Sequence, residues 1–404
     1  MANPRNNLVP FSQFKNLHVA RFVIVEESTN QEENLHLNYN QSWPATLIFL
    51  GDCDGPHELF LAELAVRAGP GLRLIFSHCK QFNPDSDILL EWMITKNTRA
   101  SANYINWIGR TVTQVHEEAE LHEILKQQLT LIQEQDQSFT ALQTYQYLYN
   151  FVRNEIKEKK LCLSKIPTTP LLWQTTNLIH KIGVPLILLL LSPLFLLLSP
   201  LFIYKLRSLE RTEPEILSRP DKKNIAQFSK QEDQWVTNQF SAFGHVKPGL
   251  FRRYTIIFFL FLLNYSSRHI YNKGFLTRVK SIHFARWVLL DNNRRLLFAS
   301  NYDGSLESYM DDFINKVSWG LNLVFSNGLG YPRSRWLVKD GAEQEQKFKN
   351  YLRSHQLYTD VWYKAYPNIN AIDLSRNSRI RQGLEKGKLH FLDLNAIREW
   401  LSLI

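Results

Sequence analysis

The chain has little of what most functional classes need. Its 404 residues include three cysteines, Cys53, Cys79 and Cys162. An odd number without C-x-x-C spacing excludes a disulfide framework and a thiolate site, and no metal centre is expected. There is no zinc-finger spacing, no RNP-type aromatic motif and no long basic tract. The excess of 47 Lys and Arg over 38 Asp and Glu is therefore not read as a nucleic-acid surface. The opening "MANPRNNLVPFSQFKN" has no apolar stretch of signal-peptide type, so the soluble parts are expected to face the cytosol. In "VHEEAELHE", His116 and His122 stand six apart, which misses the i, i+4 spacing of a helical metal pair. That segment reads as a solvated helix face.

What is present is a long apolar run. Ile182 to Tyr204 holds 23 residues without a charge, and a helix of that length covers a hydrocarbon core of about 30 Å. Pro185, Pro193 and Pro200 interrupt it, each removing a backbone donor, so a bent or re-entrant helix is expected. A second run, Tyr254 to Tyr265, is short enough for an interfacial piece. Lys159, Lys160, Lys165 and Lys181 precede the first run, and Lys205, Arg207 and Arg211 follow it. Both ends carry the positive charge of cytoplasmic flanks. The expectation is a hairpin or in-plane anchor at the cytoplasmic face of a membrane, with anionic lipid as partner; a single span and a buried soluble helix are the alternatives.

The two sides of this run resemble each other. Residues 48–77 align with 297–326 without a gap at nine identities, among them Asp54/Asp303, Gly55/Gly304, Glu58/Glu307 and Gly71/Gly320. Upstream, "LHVARFVIVEE" answers "IHFARWVLLDN", matching His18 with His283 and Arg21 with Arg286. This is an internal duplication. Each copy reads as strand, strand, helix, strand, helix, strand, with "LNLVFS" and "RWLVKD" taken as strands and "AEQEQKFKNYLRSH" as a helix.

The expected fold class is α+β: two ferredoxin-like modules, residues 14–130 and 278–385, pairing as a pseudo-dimeric α+β barrel. A helical, membrane-binding insertion (131–277) lies between them, and a tail helix (386–404) follows. If the copies pair, they share one compartment, and the chain crosses the membrane an even number of times.

"GDCDG" (51–55) matches the G-x-x-D-G pattern of dye-decolourising peroxidases, haem enzymes built from two ferredoxin-like modules, which the chain resembles in this motif. The resemblance implies that Asp54 assists proton transfer to peroxide and that haem is the cofactor. At larger scale, residues 238–385 resemble a bacterial family of tandem ferredoxin-like proteins without an assigned activity.

Two functions follow as expectations, ahead of a lipid-modifying enzyme of another chemistry. One is a membrane-attached, non-catalytic binding or scaffold protein. The other is a haem-dependent, peroxidase-like oxidoreductase acting on apolar or lipid substrates. The candidate chemistry lies in Asp54, Asp303 and Arg286. A small anionic or apolar-tailed ligand would meet Tyr302, Trp287 and His283, with Asn327, Arg333 and Arg335 of "SNGLGYPRSRW" as anion-binding groups. The quieter reading makes Asp54 and Asp303 turn and cap residues, and Glu58 and Glu307 first-turn acids that favour the helix dipole.

Overall fold

In the computed structural model, residues 6–27, 29, 43–134, 139–216, 219–385 and 393–404 are described. The long first-copy loop and residues 386–392 of the expected tail lie outside them. Strands β1 (Leu17–Val25) and β2 (Thr46–Cys53) form a hairpin, followed by helices α1 (His57–Arg67), α2 (Gly69–Phe76), α3 (Leu89–Lys96) and strand β3 (Ala102–Ile105). Helices α4 (Val112–Glu134), α5 (Ala141–Lys157), α6 (Leu171–Leu190), α7 (Ser192–Thr212) and α8 (Lys222–Phe228) lead to strand β4 (Thr237–His245). Helix α9 (Leu250–His269) precedes the hairpin of β5 (Ile282–Leu290) and β6 (Arg295–Asp303), then α10 (Leu306–Phe325) and the two-residue strands β7 (Ser334–Arg335) and β8 (Lys339–Asp340). The chain closes with α11 (Glu345–His355), β9 (Thr359–Lys364), α12 (Ala371–Glu385) and α13 (Leu394–Leu401).

The protein is mixed α+β, with two main antiparallel sheets ordered β2-β1-β9 and β3-β5-β6-β4. Each hairpin takes its third strand from the other half of the chain: β3 pairs with β5, and β9 pairs with β1. One face of each sheet is buried under helices, β1 and β9 against α1–α3 and the second sheet against α9–α11. The opposite faces meet, Val23 and Val25 packing with Phe243, Val288 and Leu297. Such alternation of sides along β1 and β5 follows from the two-residue period of a strand.

Local chemistry accounts for the turns. The β5–β6 hairpin turns through Asp291, Asn292 and Asn293, all with left-handed φ of 52°, 54° and 62°, which Asn and Asp tolerate best after glycine. After β2 and β6, Gly55 and Gly304 take φ of 81° and 82°, values that a side chain would strain. Glu58 and Glu307 fall in the first turns of α1 and α10. Helices α1 and α2 break at Ala68 (φ −112°), and α10 kinks at Val317 (φ −143°), positions that coincide when residues 48–77 are aligned with 297–326.

Three expectations are corrected. "LNLVFS" is not a strand but the last turns of α10, because Leu321, Val324 and Phe325 bury one helical face. "RWLVKD" contributes only the two-residue strands β7 and β8. The "VHEEAELHE" face is not solvated throughout: Glu117 and Glu118 are buried, accepting from Ser164 and from Gln114 and Ser378 respectively. Within the expected insertion, β4 is the edge strand of the second sheet, paired with β6, and α9 packs on that sheet, Ile256 and Leu260 being fully buried in its core.

Candidate functional site

The residues that align between the two halves build two matching centres. In the first, His18 Nε2 lies 3.0 Å from Asp54 Oδ1, and the other carboxylate oxygen accepts the Val112 N–H, at 2.9 Å, at the start of α4. In the second, His283 Nε2 lies 2.7 Å from Asp303 Oδ1, and Asp303 Oδ2 accepts the Ala371 N–H, at 2.7 Å, at the start of α12. Strand pairing shifts register at both histidines, between Leu17 and Val19 and between Ile282 and Phe284. A bulge re-aims a side chain, and here each one turns an imidazole onto the aspartate of the Asp-Gly turn. The aspartates thus cap a helix remote in sequence rather than the helix that follows them.

The surroundings differ. His18 Nδ1 meets the Tyr366 hydroxyl at 2.9 Å, so both ring nitrogens are engaged. His283 Nδ1 is buried without a hydrogen-bond partner. The Thr237 hydroxyl donates to Asp303 and in turn accepts from Lys364 Nζ, which also donates to Ile369 O at 2.7 Å. Burial lowers the Lys364 ammonium to about 7, against the raising pull of Asp303 and Asp373. Burial, then the charge of Lys364, lowers His283. Burial would raise Asp303, but His283 and the bonds from Thr237 and the Ala371 N–H outweigh it and hold the carboxyl below its ordinary value. Cys53, beside Asp54, is pushed up to about 11 by burial and the neighbouring carboxylates, so it stays a thiol.

Between the sheets, Arg21 and Arg286 point in opposite directions. The Arg21 guanidinium donates to Phe240 O and Ser300 O, each at 2.8 Å, to Ser241 and to Asn301. It is 3 % exposed, and burial lowers its pKa to about 10. Arg286 reaches the other way, to Asp52 at 2.6 Å. The cavity left among Arg21, Asp52, Arg286 and Asn301 is about 10 Å³, room for one water at most. A haem does not fit this space. Among the described residues, no three His, Cys, Asp or Glu stand together to hold a metal ion.

The expected site residues fall into separate places. Asp54 with His18, and Asp303 with His283, are brought together as described, and Arg286 lies between the sheets. Tyr302 and Trp287 do not wall that space; they are buried under the helices, Tyr302 stacked on Tyr309 at 4.3 Å and Trp287 against Phe298. Asn327 is buried and donates to Leu323 O and Val324 O. Arg333 donates to Glu213 O, and Arg335 pairs with Asp340. The loop arginines share no partner with Asp303. Sequence reasoning passed over Thr237, Lys364 and Tyr366, though a lone lysine amid the apolar and aromatic residues of "DVWYKAY" was a signal of burial.

A third feature is the proline-rich run. No single described helix is long and apolar enough to cross a membrane, but α6 and α7 pass by length and composition as a pair bent by 63°. Leu190 and Leu197, on either side of the bend, are 79 % and 76 % exposed. Pro185 and Pro200, inside α6 and α7, each free the carbonyl four residues before, and each freed carbonyl is answered by a hydroxyl; at the bend, where Pro193 lies in the first turn of α7, a serine also bonds the last turn of α6. Tyr265 donates to Lys181 O for Pro185 and Ser199 to Leu196 O for Pro200, and Ser192 donates to Leu189 O at the bend, all at 2.7–2.8 Å. Both arms are held on α9: Arg268 bonds Asn177, and the rings of Phe202 and Phe251 lie 5.0 Å apart.

No protein-family model, curated protein or solved structure matches this chain.

Proposed function

We propose that the protein is a membrane-attached binding or scaffold protein, made of two paired ferredoxin-like modules and held to the cytoplasmic face by the α6–α7 elbow. The carrying observation is the match of hydroxyl to freed carbonyl at both helix-interior prolines, Pro185 and Pro200. In water such a carbonyl bonds solvent at no loss, whereas in hydrocarbon it costs several kcal/mol if left open. A bent segment so closed, and apolar on its exposed side, suits insertion into one leaflet. Docking of both arms on α9 supports an in-plane anchor, since it returns the chain to the side from which it left. The basic flanks at Lys159, Lys160, Arg207 and Arg211 favour anionic lipid. The strand exchange, the matching His–Asp centres and the opposed Arg21 and Arg286 support duplication and pairing. The closed interior weighs against a peroxidase-like oxidoreductase.

Flotation with vesicles tests the attachment. The full chain is expected to float with phosphatidylglycerol vesicles and less with phosphatidylcholine alone, and Leu190→Lys with Leu197→Lys is expected to abolish flotation while the melting temperature holds. Wild-type protein that stays soluble and vesicle-free, or a double variant that floats equally, would overturn it. Protease added outside sealed vesicles is expected to cut both halves; protection of one half would replace the in-plane anchor by a single span.

A further inference from the structure

The two His–Asp centres serve as controls for one another. Ile105 ends β3 seven residues before Val112, whose N–H caps Asp54; Lys364 ends β9 seven residues before Ala371, whose N–H caps Asp303. The same position at the strand's end thus carries isoleucine in one half and lysine in the other. Burying an amine is costly, and the first centre ties its histidine and its remote helix to the aspartate without one.

Lys364 is 8 % exposed, and its two acceptors, Thr237 Oγ1 and Ile369 O, match the two N–H groups of an uncharged amine, leaving a lone pair. The amine lies beneath the turn at 367–370, of which Pro367 and Asn368 are exposed. The Tyr366 ring stands 4.9 Å from Nζ, and His283 Nδ1 is an open acceptor in the same cluster.

We propose that Lys364 is a carbonyl-reactive amine that captures a small aldehyde or ketone entering past the 367–370 turn. The uncharged Nζ attacks the carbonyl carbon; a C–N bond forms as the carbonyl π pair moves to oxygen. The oxygen leaves as water with the two protons of the amine, and an imine remains. No oxidant or reductant takes part, and hydrolysis reverses the step. Near neutral pH a large fraction of the amine is already uncharged, whereas a surface lysine is almost wholly protonated. This assignment stands apart from membrane attachment and holds whether or not the elbow binds lipid.

The test uses the full-length protein, acetaldehyde and cyanoborohydride at pH 7, with each lysine's labelling rate read by peptide mass and divided by its rate in the urea-unfolded chain. Lys364 is expected to label roughly ten-fold or more faster than the surface lysines. Lys364→Ile, the residue of the other centre, is expected to remove that label and to leave the melting temperature unchanged or raised. Labelling of Lys364 no faster than the surface lysines would overturn the proposal. So would a lowered melting temperature for Lys364→Ile, which would make the lysine a structural pin.

Discussion

Asp54 and Asp303 perform one task in two settings, and the difference separates what the architecture requires from what it merely carries. In both, an aspartate on an Asp-Gly turn ties a bulged strand histidine to the first turn of a remote helix. The first centre adds a tyrosine hydroxyl and is complete. The second adds a threonine and an amine and leaves one imidazole nitrogen open. The arginines divide in the same way. Arg21 is sealed between the sheets and hydrogen-bonded to four uncharged acceptors, while Arg286 is partly solvated and paired with Asp52. Matching positions therefore share geometry but not energetic weight.

The largest expected effect lies at Arg21. Arg21→Ala leaves four buried acceptors open and is expected to cost about 3–5 kcal/mol in urea unfolding. Next comes Asp303→Ala, expected to cost about 2–3 kcal/mol, since it strands a helix N–H and a buried imidazole; Asp54→Ala, at a more solvated carboxylate, should cost less. Equal losses at the two aspartates would break the comparison. The titration of Lys364 separates the centres by pH. Its folded pKa is about 7 and its unfolded value near 10.5, so between these the unfolded chain binds more protons and stability rises with pH. Wild type is expected to gain on Lys364→Ile by up to about 1.4 kcal/mol per pH unit in that window, and by nothing below it. Arg286→Ala should be the mildest change, at about 1 kcal/mol or less, and the most weakened by salt.

Much of this was legible in the sequence, for identifiable reasons. The Asp-Gly turns, the β5–β6 hairpin and the bend at the proline-rich run depend on local backbone preferences, which neighbouring residues express. "LNLVFS" misled because six residues with apolar positions fit a buried strand and a helical face alike. The exchange of β3 and β9 was not legible, because the pattern of a strand does not name its neighbour in the sheet. Arg333 and Arg335 looked like anion ligands because arginine in a glycine-rich loop is shown without the acids that meet it, Asp340 and the chain around Glu213. Lys364 escaped because its meaning lies in Thr237 and Asp303, remote from it in sequence.

The exchange of strands has a consequence for synthesis. Val19 of β1 pairs with Lys364 of β9, so the first sheet waits for about 340 further residues, some 20–70 s at typical ribosomal rates. Through that interval β1 offers an unpaired edge of the kind that invites aggregation, and Arg21 has none of its acceptors, all of which lie beyond residue 239. The apolar elbow emerges midway, so on the membrane reading the nascent chain is tethered to lipid before its first sheet can close. A stop codon before residue 359 would then injure the amino-terminal sheet first, and the sequence separation of its partners makes this a slow folder.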